Sequence, residues 1–397
     1  MRRITAVLAI LALPLAACAG QEGSGSGDTV TLRVATPAAG PEHFNSVSLI
    51  AYLDAVKEAS DGRIDYEMFY GGALVPPAEI GGALKDGTVD VGQILASYKP
   101  ELYPASNWIS QAAVVGSHGA PGSVFEKSAA NIEWWWTEDG ARKGDWEDNG
   151  IVPALPGATP SAPYQLLCRD QVTSLDDARG RTVKTSGTFE AEAVAALGMK
   201  STTVPAAETF EALQRGLVDC VLNNPGAIAD NSFWEVAHHL TTVDFPPFMT
   251  WGLFFSQDLW DRLPDDLQTI MWEHLPAYLK AEMDSAMRIE KNFYENADEH
   301  GVRLHAPEAD LAAAIDEHVE KTLAALPDEA PGTVADGGAA LDRYVAAHQE
   351  WKALLADELG LGSDAAWAQW VGSATTEVDT GAYAELVYDR VLADRMP

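Results

Sequence analysis

Gln93, Ser97 and Tyr98 follow one short apolar run of the chain, and Asn223 and Asn224 follow another. Open α/β sheets hold ligands in the crevice beyond the carboxyl ends of their strands, where these side chains would lie. An amide both donates and accepts, so the chemistry on offer is recognition of a small polar molecule. A loop or sheet-edge hydrogen bond is the other use open to each of them. Trp251, at a return crossing of the chain, would either pack on a ligand or fill a hinge as a buried aromatic. Trp134-Trp135-Trp136 is conspicuous, yet adjacent helical residues point in different directions, so at least one belongs to a core. The groupings of bond-making chemistry are missing: there is no Gly-x-Ser-x-Gly, His-Glu-x-x-His, Cys-x-x-Cys or Gly-x-x-x-x-Gly-Lys. The one adjacent histidine pair, His238-His239, diverges on helix or strand alike; it reads as a surface helix end, and no metal or cofactor is expected.

Alternation at Val30, Leu32 and Val34 and again at Ile64, Tyr66, Met68 and Tyr70 predicts strands, with a helix between them through Val47, Ile50, Leu53 and Val56. A helix over 78–85, stopped by Gly87, and a buried strand over 89–95 complete an α/β unit with a largely parallel sheet. Residues 164–224 repeat that grammar, with strands at 164–168, 182–185 and 201–204 and helices at 188–197 and 206–215. An internal echo links the halves: Ala83-Leu84-Lys85-Asp86-Gly87-Thr88-Val89-Asp90 against Ala212-Leu213-Gln214-Arg215-Gly216-Leu217-Val218-Asp219, identical at five of eight positions. Asp90 and Asp219 read as turn or strand-entry residues. Phe245-Pro246-Pro247 is a rigid extended link into a third apolar stretch, 251–255. A long helical segment follows over 265–300, which Pro276 should kink or interrupt. Helical patterns with Pro and Gly breaks fill the rest.

At the N-terminus, Arg2 and Arg3 precede an apolar run over 4–15 that is too short to span a bilayer, and Leu15-Ala16-Ala17-Cys18 closes it. These four residues resemble the lipobox of bacterial lipoprotein signal peptides. The resemblance implies cleavage before Cys18, lipid on its sulfur, and a mature protein anchored outside the cell membrane. Gly, Ser, Gln and Glu between positions 20 and 28 form a flexible leash. A formal net charge of −33, from 59 acidic against 26 basic residues, excludes nucleic acid as a partner. It also means that few basic residues line any anion pocket, so each one matters. Cys168 and Cys220 remain, in an oxidising compartment; a disulfide and two buried thiols are both open.

Several blocks together resemble the solute-binding proteins of tripartite ATP-independent periplasmic (TRAP) transporters, the DctP family. They are Ser60-Asp61-Gly62-Arg63-Ile64 with Phe69-Tyr70-Gly71-Gly72, Leu84 to Asp90, Leu175-Asp176-Asp177-Ala178-Arg179-Gly180-Arg181-Thr182-Val183-Lys184, and Glu208 to Asp219. Their order and spacing over positions 30–280 carry the match; the last hundred residues add nothing to it. The resemblance implies an α/β, two-lobed fold of the class II periplasmic-binding-protein kind, with a long helix bridging the lobes and extra C-terminal helices. The expected organisation is a signal peptide over 1–17, a linker over 18–29 and lobe I over 30–160 with a return segment at about 245–263. Lobe II takes 161–244 with part of 264–397 packed on it, the bridging helix 264–300, and peripheral helices 301–397.

Family members commonly clamp a ligand carboxylate with an arginine at the position that Lys184 occupies here. Lysine supplies charge without the planar fork. Ser186 shares its strand face, whereas Arg181, three residues earlier, faces away. The resemblance implies a receptor that traps a small anionic solute and presents it to TRAP membrane subunits; Lys184 at the family's clamp position, with Asn223, Asn224, Trp251, Tyr98, Gln93 and Ser186 from their places in the chain, are the candidate contacts. An ABC-type solute-binding lipoprotein and a ligand-sensing lipoprotein paired with a signalling receptor are the alternatives.

Overall fold

The computed structural model describes residues 29–397 apart from 160, 186, 205–207, 246–250 and 374–376. The lipobox with Cys18, residues 18–28 of the leash, and Ser186 lie outside the described residues. Eleven strands are described: β1 (Val30–Thr36), β2 (Ile64–Tyr70), β3 (Val91–Leu95), β4 (Ile151–Leu155), β5 (Tyr164–Cys168), β6 (Thr182–Lys184), β7 (Lys200–Thr202), β8 (Cys220–Asn223), β9 (His239–Phe245), β10 (Trp251–Ser256) and β11 (Arg303–His305). They form two sheets, ordered β2-β1-β3-β10-β4 and β11-β9-β5-β8-β6-β7. The first has a parallel core, β1 with β2 and β3, closed by the antiparallel return strand β10. The second is mixed, because β5 runs antiparallel to both its neighbours.

The internal echo turns out to be one device used twice. In the first sheet Asp90 accepts the backbone N–H of Arg33 at 2.9 Å and returns its own N–H to the Arg33 carbonyl at 2.9 Å. In the second, Asp219 accepts the N–H of Thr182 at 2.8 Å and returns its own to the Thr182 carbonyl at 2.8 Å. Each aspartate clips the end of one helix–Gly–strand unit to the neighbouring parallel strand. Gly87 and Gly216, both at positive φ, turn the chain out of the helix in front of it, a geometry that favours glycine. Asp90 is buried, and Arg33 and Arg262 bond it through their guanidinium groups, so the first clip is charged.

The helices that matter for the site are α1 (Phe44–Ala59), α2 (Gly122–Thr137), α3 (Pro225–Asp230), α4 (Asp265–Glu273), α5 (Leu275–Asn296), α6 (Ala309–Ala325), α7 (Gly337–Leu359) and α8 (Thr380–Val387). The 265–300 segment is interrupted at His274, where α5 restarts with Pro276 in its first turn, a position that needs no N–H. Over about 33 Å, from 1.5 Å per residue, α5 serves both lobes: Tyr278, Leu279 and Met283 enter the core of the first, and Phe293 that of the second. It packs on α1, α3 and α8.

Trp134, Trp135 and Trp136 are all buried, the first two behind the first sheet and the third edge-on to Trp272. Beyond residue 300, β11 extends the second sheet, while Tyr344 and Trp351 of α7 and Tyr383 of α8 are fully buried against the first lobe. His239 corrects the reading of a helix end: it opens β9, and its Nδ1 lies 3.1 Å from Nε2 of His305 on β11. The partner is 66 positions away, beyond any local pattern. Among the described residues no helix is long and apolar enough to cross a membrane.

Cys168 and Cys220 stand directly opposite each other on β5 and β8 and form a disulfide that closes 52 residues. Reduction should therefore add about two daltons to the intact mass, and replacing both by serine should cost up to ~4 kcal/mol in chemical denaturation. An unchanged mass would show free thiols.

Candidate functional site

Two short passages join the sheets, one from β4 to β5 and one back from β9 to β10, while α5 carries the chain across a third time to β11. Both passages leave from the carboxyl end of a strand, so the carboxyl ends of the parallel strands in the two sheets face the same gap. On the second sheet, the register sets Gln165 opposite Asn223, and Lys184 beside Val221, two residues before Asn223. Side chains two apart share a face, so Lys184, Asn223 and Gln165 stand on one face at one edge. On the first sheet, Trp251 pairs with Leu95, and Tyr98 follows in a short turn of helix, partly exposed.

The individual side chains differ in how far they are committed. Lys184 is buried; burial pulls its pKa down, and the charge of Glu190 on the following helix opposes that fall. Asn224 is a structural residue as well as a candidate: its Oδ1 caps α3 by accepting from Ala227 N at 2.6 Å, and its Nδ2 donates to Ser161 Oγ at 2.9 Å on the first passage. Asn223 uses its Oδ1 to hold the Asn224 N–H at 2.9 Å. Gln93 is fully buried and its amide is a clasp: Oε1 accepts from Thr36 Oγ1 at 2.7 Å, and Nε2 donates to Asn45 O and Tyr278 Oη, both at 2.9 Å. It thereby ties β1, β3, α1 and α5 together. The Trp251 Nε1 is buried without a hydrogen-bond partner among the described residues.

Gln165, Glu282 and Glu290 escaped the sequence reading. Gln165 lies inside a predicted strand, where its alignment with Asn223 depends on pairing across 58 residues of chain. Its Oε1 accepts from Val243 N at 2.8 Å and its Nε2 donates to Asp244 Oδ1 at 2.7 Å, which fixes the end of β9 where Asp244 takes a left-handed backbone. Glu282 and Glu290 fall within the helix expected over 265–300, and α5 buries both. Burial pushes Glu282 up to about 7, against the hydroxyls of Tyr278, Ser48 and Thr159. Glu290 is pushed up to about 8 by burial, although it accepts the Gly226 N–H at 3.1 Å. Among the described residues no group of side chains is arranged to hold a metal ion.

Two α/β lobes joined by paired passages, with polar side chains on the facing strand ends and a shared helix behind, make up a two-lobed architecture. Residues 165–326 match the model of the family described as bacterial extracellular solute-binding protein, family 7, DctP. Over those residues the chain is similar to that family. The fold is that of solved relatives. A marine-metagenome TRAP solute-binding protein specific for pyroglutamate matches at TM-score 0.65 and 16% identity, over 82% of this chain and 100% of its own. A Bordetella pertussis extracytoplasmic solute receptor binding pyroglutamic acid matches at 0.63 and 18%, over 80% and 99%. A Sulfitobacter protein with bound β-D-galacturonate matches at 0.64 and 18%, over 80% and 100%.

Glu282 yields a pH test. Its folded pKa lies above the ordinary value, so the folded state holds a proton that the unfolded chain has already lost. Stability from this group is greatest below the ordinary value of 4.5, falls as pH rises toward about 7, and is flat above. Glu282→Gln, which mimics the protonated form, should therefore gain on the wild type at pH 8 by up to about 3 kcal/mol and gain little near pH 4. Urea denaturation at both pH values checks this; an equal difference at both would remove the buried acid as its cause.

Proposed function

We propose that this receptor is anchored by lipid at Cys18 and closes its lobes on a small carboxylate, which it delivers to TRAP membrane subunits. The observation that carries the reading is Lys184, a buried cation at the carboxyl edge of the second sheet on the same face as Asn223. A lysine held there supplies charge where a solute meets the strand ends, and a charge-assisted bond in a dry cleft is stronger than one in water. Asn223, Ser186 and Tyr98 would complete the polar contacts, Trp251 would cover the solute, and Asn224 and Gln93 would hold the frame around it. Relatives of the same fold point the same way, since they carry pyroglutamate, galacturonate and, in a Chromohalobacter salexigens protein, D-glucuronate. Every one of these is a carboxylic acid.

Thermal unfolding against organic acids, sugar acids, amino acids and neutral polyols tests the ligand class. A solute at a thousand times its dissociation constant adds ~4 kcal/mol. Lys184→Ala should then weaken carboxylate binding by roughly 2 to 4 kcal/mol in calorimetry; unchanged affinity would remove Lys184 from the site. Stabilisation by neutral polyols alone would keep the receptor and discard the carboxylate. The anchor is checked separately: Cys18→Ser should move the protein from the membrane fraction to the soluble fraction, and retention would refute lipid attachment at that sulfur.

A further inference from the structure

After β11 the chain returns to the first lobe, and it does so along α6. The start of α6 belongs to the second lobe. Glu308, the residue before it, donates its N–H to Thr173 O at 2.7 Å and accepts from the Thr173 hydroxyl at 3.1 Å, and Asp310 accepts the Leu175 N–H at 3.1 Å. Leu311 and Ile315, one turn apart, enter the core of the second lobe. The other end belongs to the first lobe. Leu326, the residue after α6, is fully buried in the core behind the first sheet, and its carbonyl accepts the Trp108 Nε1–H at 2.7 Å. Gly337 closes on the next residue so tightly that a Cβ there would come within 2.3 Å of Pro327 O, which fixes the chain just beyond the anchor.

Between these anchors α6 runs for about 26 Å, from 1.5 Å per residue over 17 residues. It packs on the helix Thr188–Ala196, which starts four residues after Lys184, and on the turn Gln111–Val115 of the first lobe. Val114 of that turn is partly buried against the second lobe's core, so the lobes touch under α6. Farther along, α6 stands off the body. His318, Lys321 and Ala325 roof a cavity of about 420 Å³, with Gln111 of the first lobe and Glu192 and Ala196 of the second among its other walls. A helix cannot lengthen without breaking its own backbone hydrogen bonds, so one held at both ends fixes the distance between its anchors.

Two bodies joined only by short passages swing freely about a few hinge residues. Here they are tied twice more, by α5 through its residues in both cores and by α6 through its two anchors. We propose that α6 is a strap that sets how far the lobes part, with Leu326 and Trp108 as the buckle on the first lobe. When the gap widens, the strap tightens before the Gln111–Val115 turn can leave the second lobe. The limit on opening is then built into the chain and is independent of what the gap holds.

The separation of the two rims tests this on the full chain without any solute. Glu101→Cys and Thr203→Cys, at exposed positions beyond the carboxyl ends of β3 and β7, take spin labels in a Cys18→Ser background, and double electron–electron resonance reads the distance between them. A Gly-Ser-Gly insertion between Ala325 and Leu326 slackens the strap and leaves both anchors their residues. It should broaden the distance distribution and shift it to longer separations. The same insertion after Gly332, an exposed residue in open space beyond both anchors, should leave the distribution as in the wild type. Trp108→Phe keeps a ring in the core and removes the donor to Leu326; it should shift the distribution in the same direction by a smaller amount, and it decides the case if the slackening insertion unfolds the chain. A slackened strap with the wild-type distribution, an equal shift from both insertions, or no shift in Trp108→Phe when it has to decide, overturns the proposal.

Discussion

The buried passage from β4 to β5 imposes the constraint on which the rest of this structure depends. A chain that crosses there brings N–H and C=O groups where water cannot serve them. Side chains from other elements bond to them in place of water. Ser128 and Asn131 of α2 donate to the carbonyls of Ala158 and Gly157, and Asn224 bonds the Ser161 hydroxyl beside them. The Thr159 N–H reaches across to the Trp251 carbonyl at 3.4 Å, so the first residue of β10 supports this passage. α2 is in turn held by α7 through Tyr344, whose hydroxyl donates to Asn131 at 2.8 Å. The C-terminal helices thereby act on the gap through the residues that line its wall.

Charge sets the second constraint. With a formal net charge of −33, the protein's far field repels an anionic solute. Salt confines that repulsion to about 8 Å at physiological ionic strength. Within the gap, a lysine shielded from water acts at short range and in a poorer dielectric, where its attraction is stronger. On the proposed reading, recognition of an acid is then a property of the cleft. Acids elsewhere on the surface keep the receptor dispersed without dictating what it holds.

Local signals carried much of the architecture. The Ala-Leu-x-x-Gly-x-Val-Asp echo marked the two helix–strand units, and Pro276 marked the break before α5. Lys184 became a candidate through its place at the end of a recognisable block, and the register puts it on the same face as Asn223. What stayed hidden depends on partners far away in sequence. Gln165 gains meaning only opposite Asn223, and His239 only beside His305. Glu282 looks solvated until α1 and the first passage close over α5, because helical spacing gives no warning that both sides of a helix will be covered.

The Cys168–Cys220 bond joins the same two strands, β5 and β8, that present Gln165 and Asn223 at their other ends. Side chains alternate along a strand, so a slip of one residue between these strands would turn either amide to the opposite face. The cross-link forbids that slip. Three residues from the gap on each strand, it makes the spatial alignment of the two amides a covalent property of the chain, independent of any change in how the lobes sit.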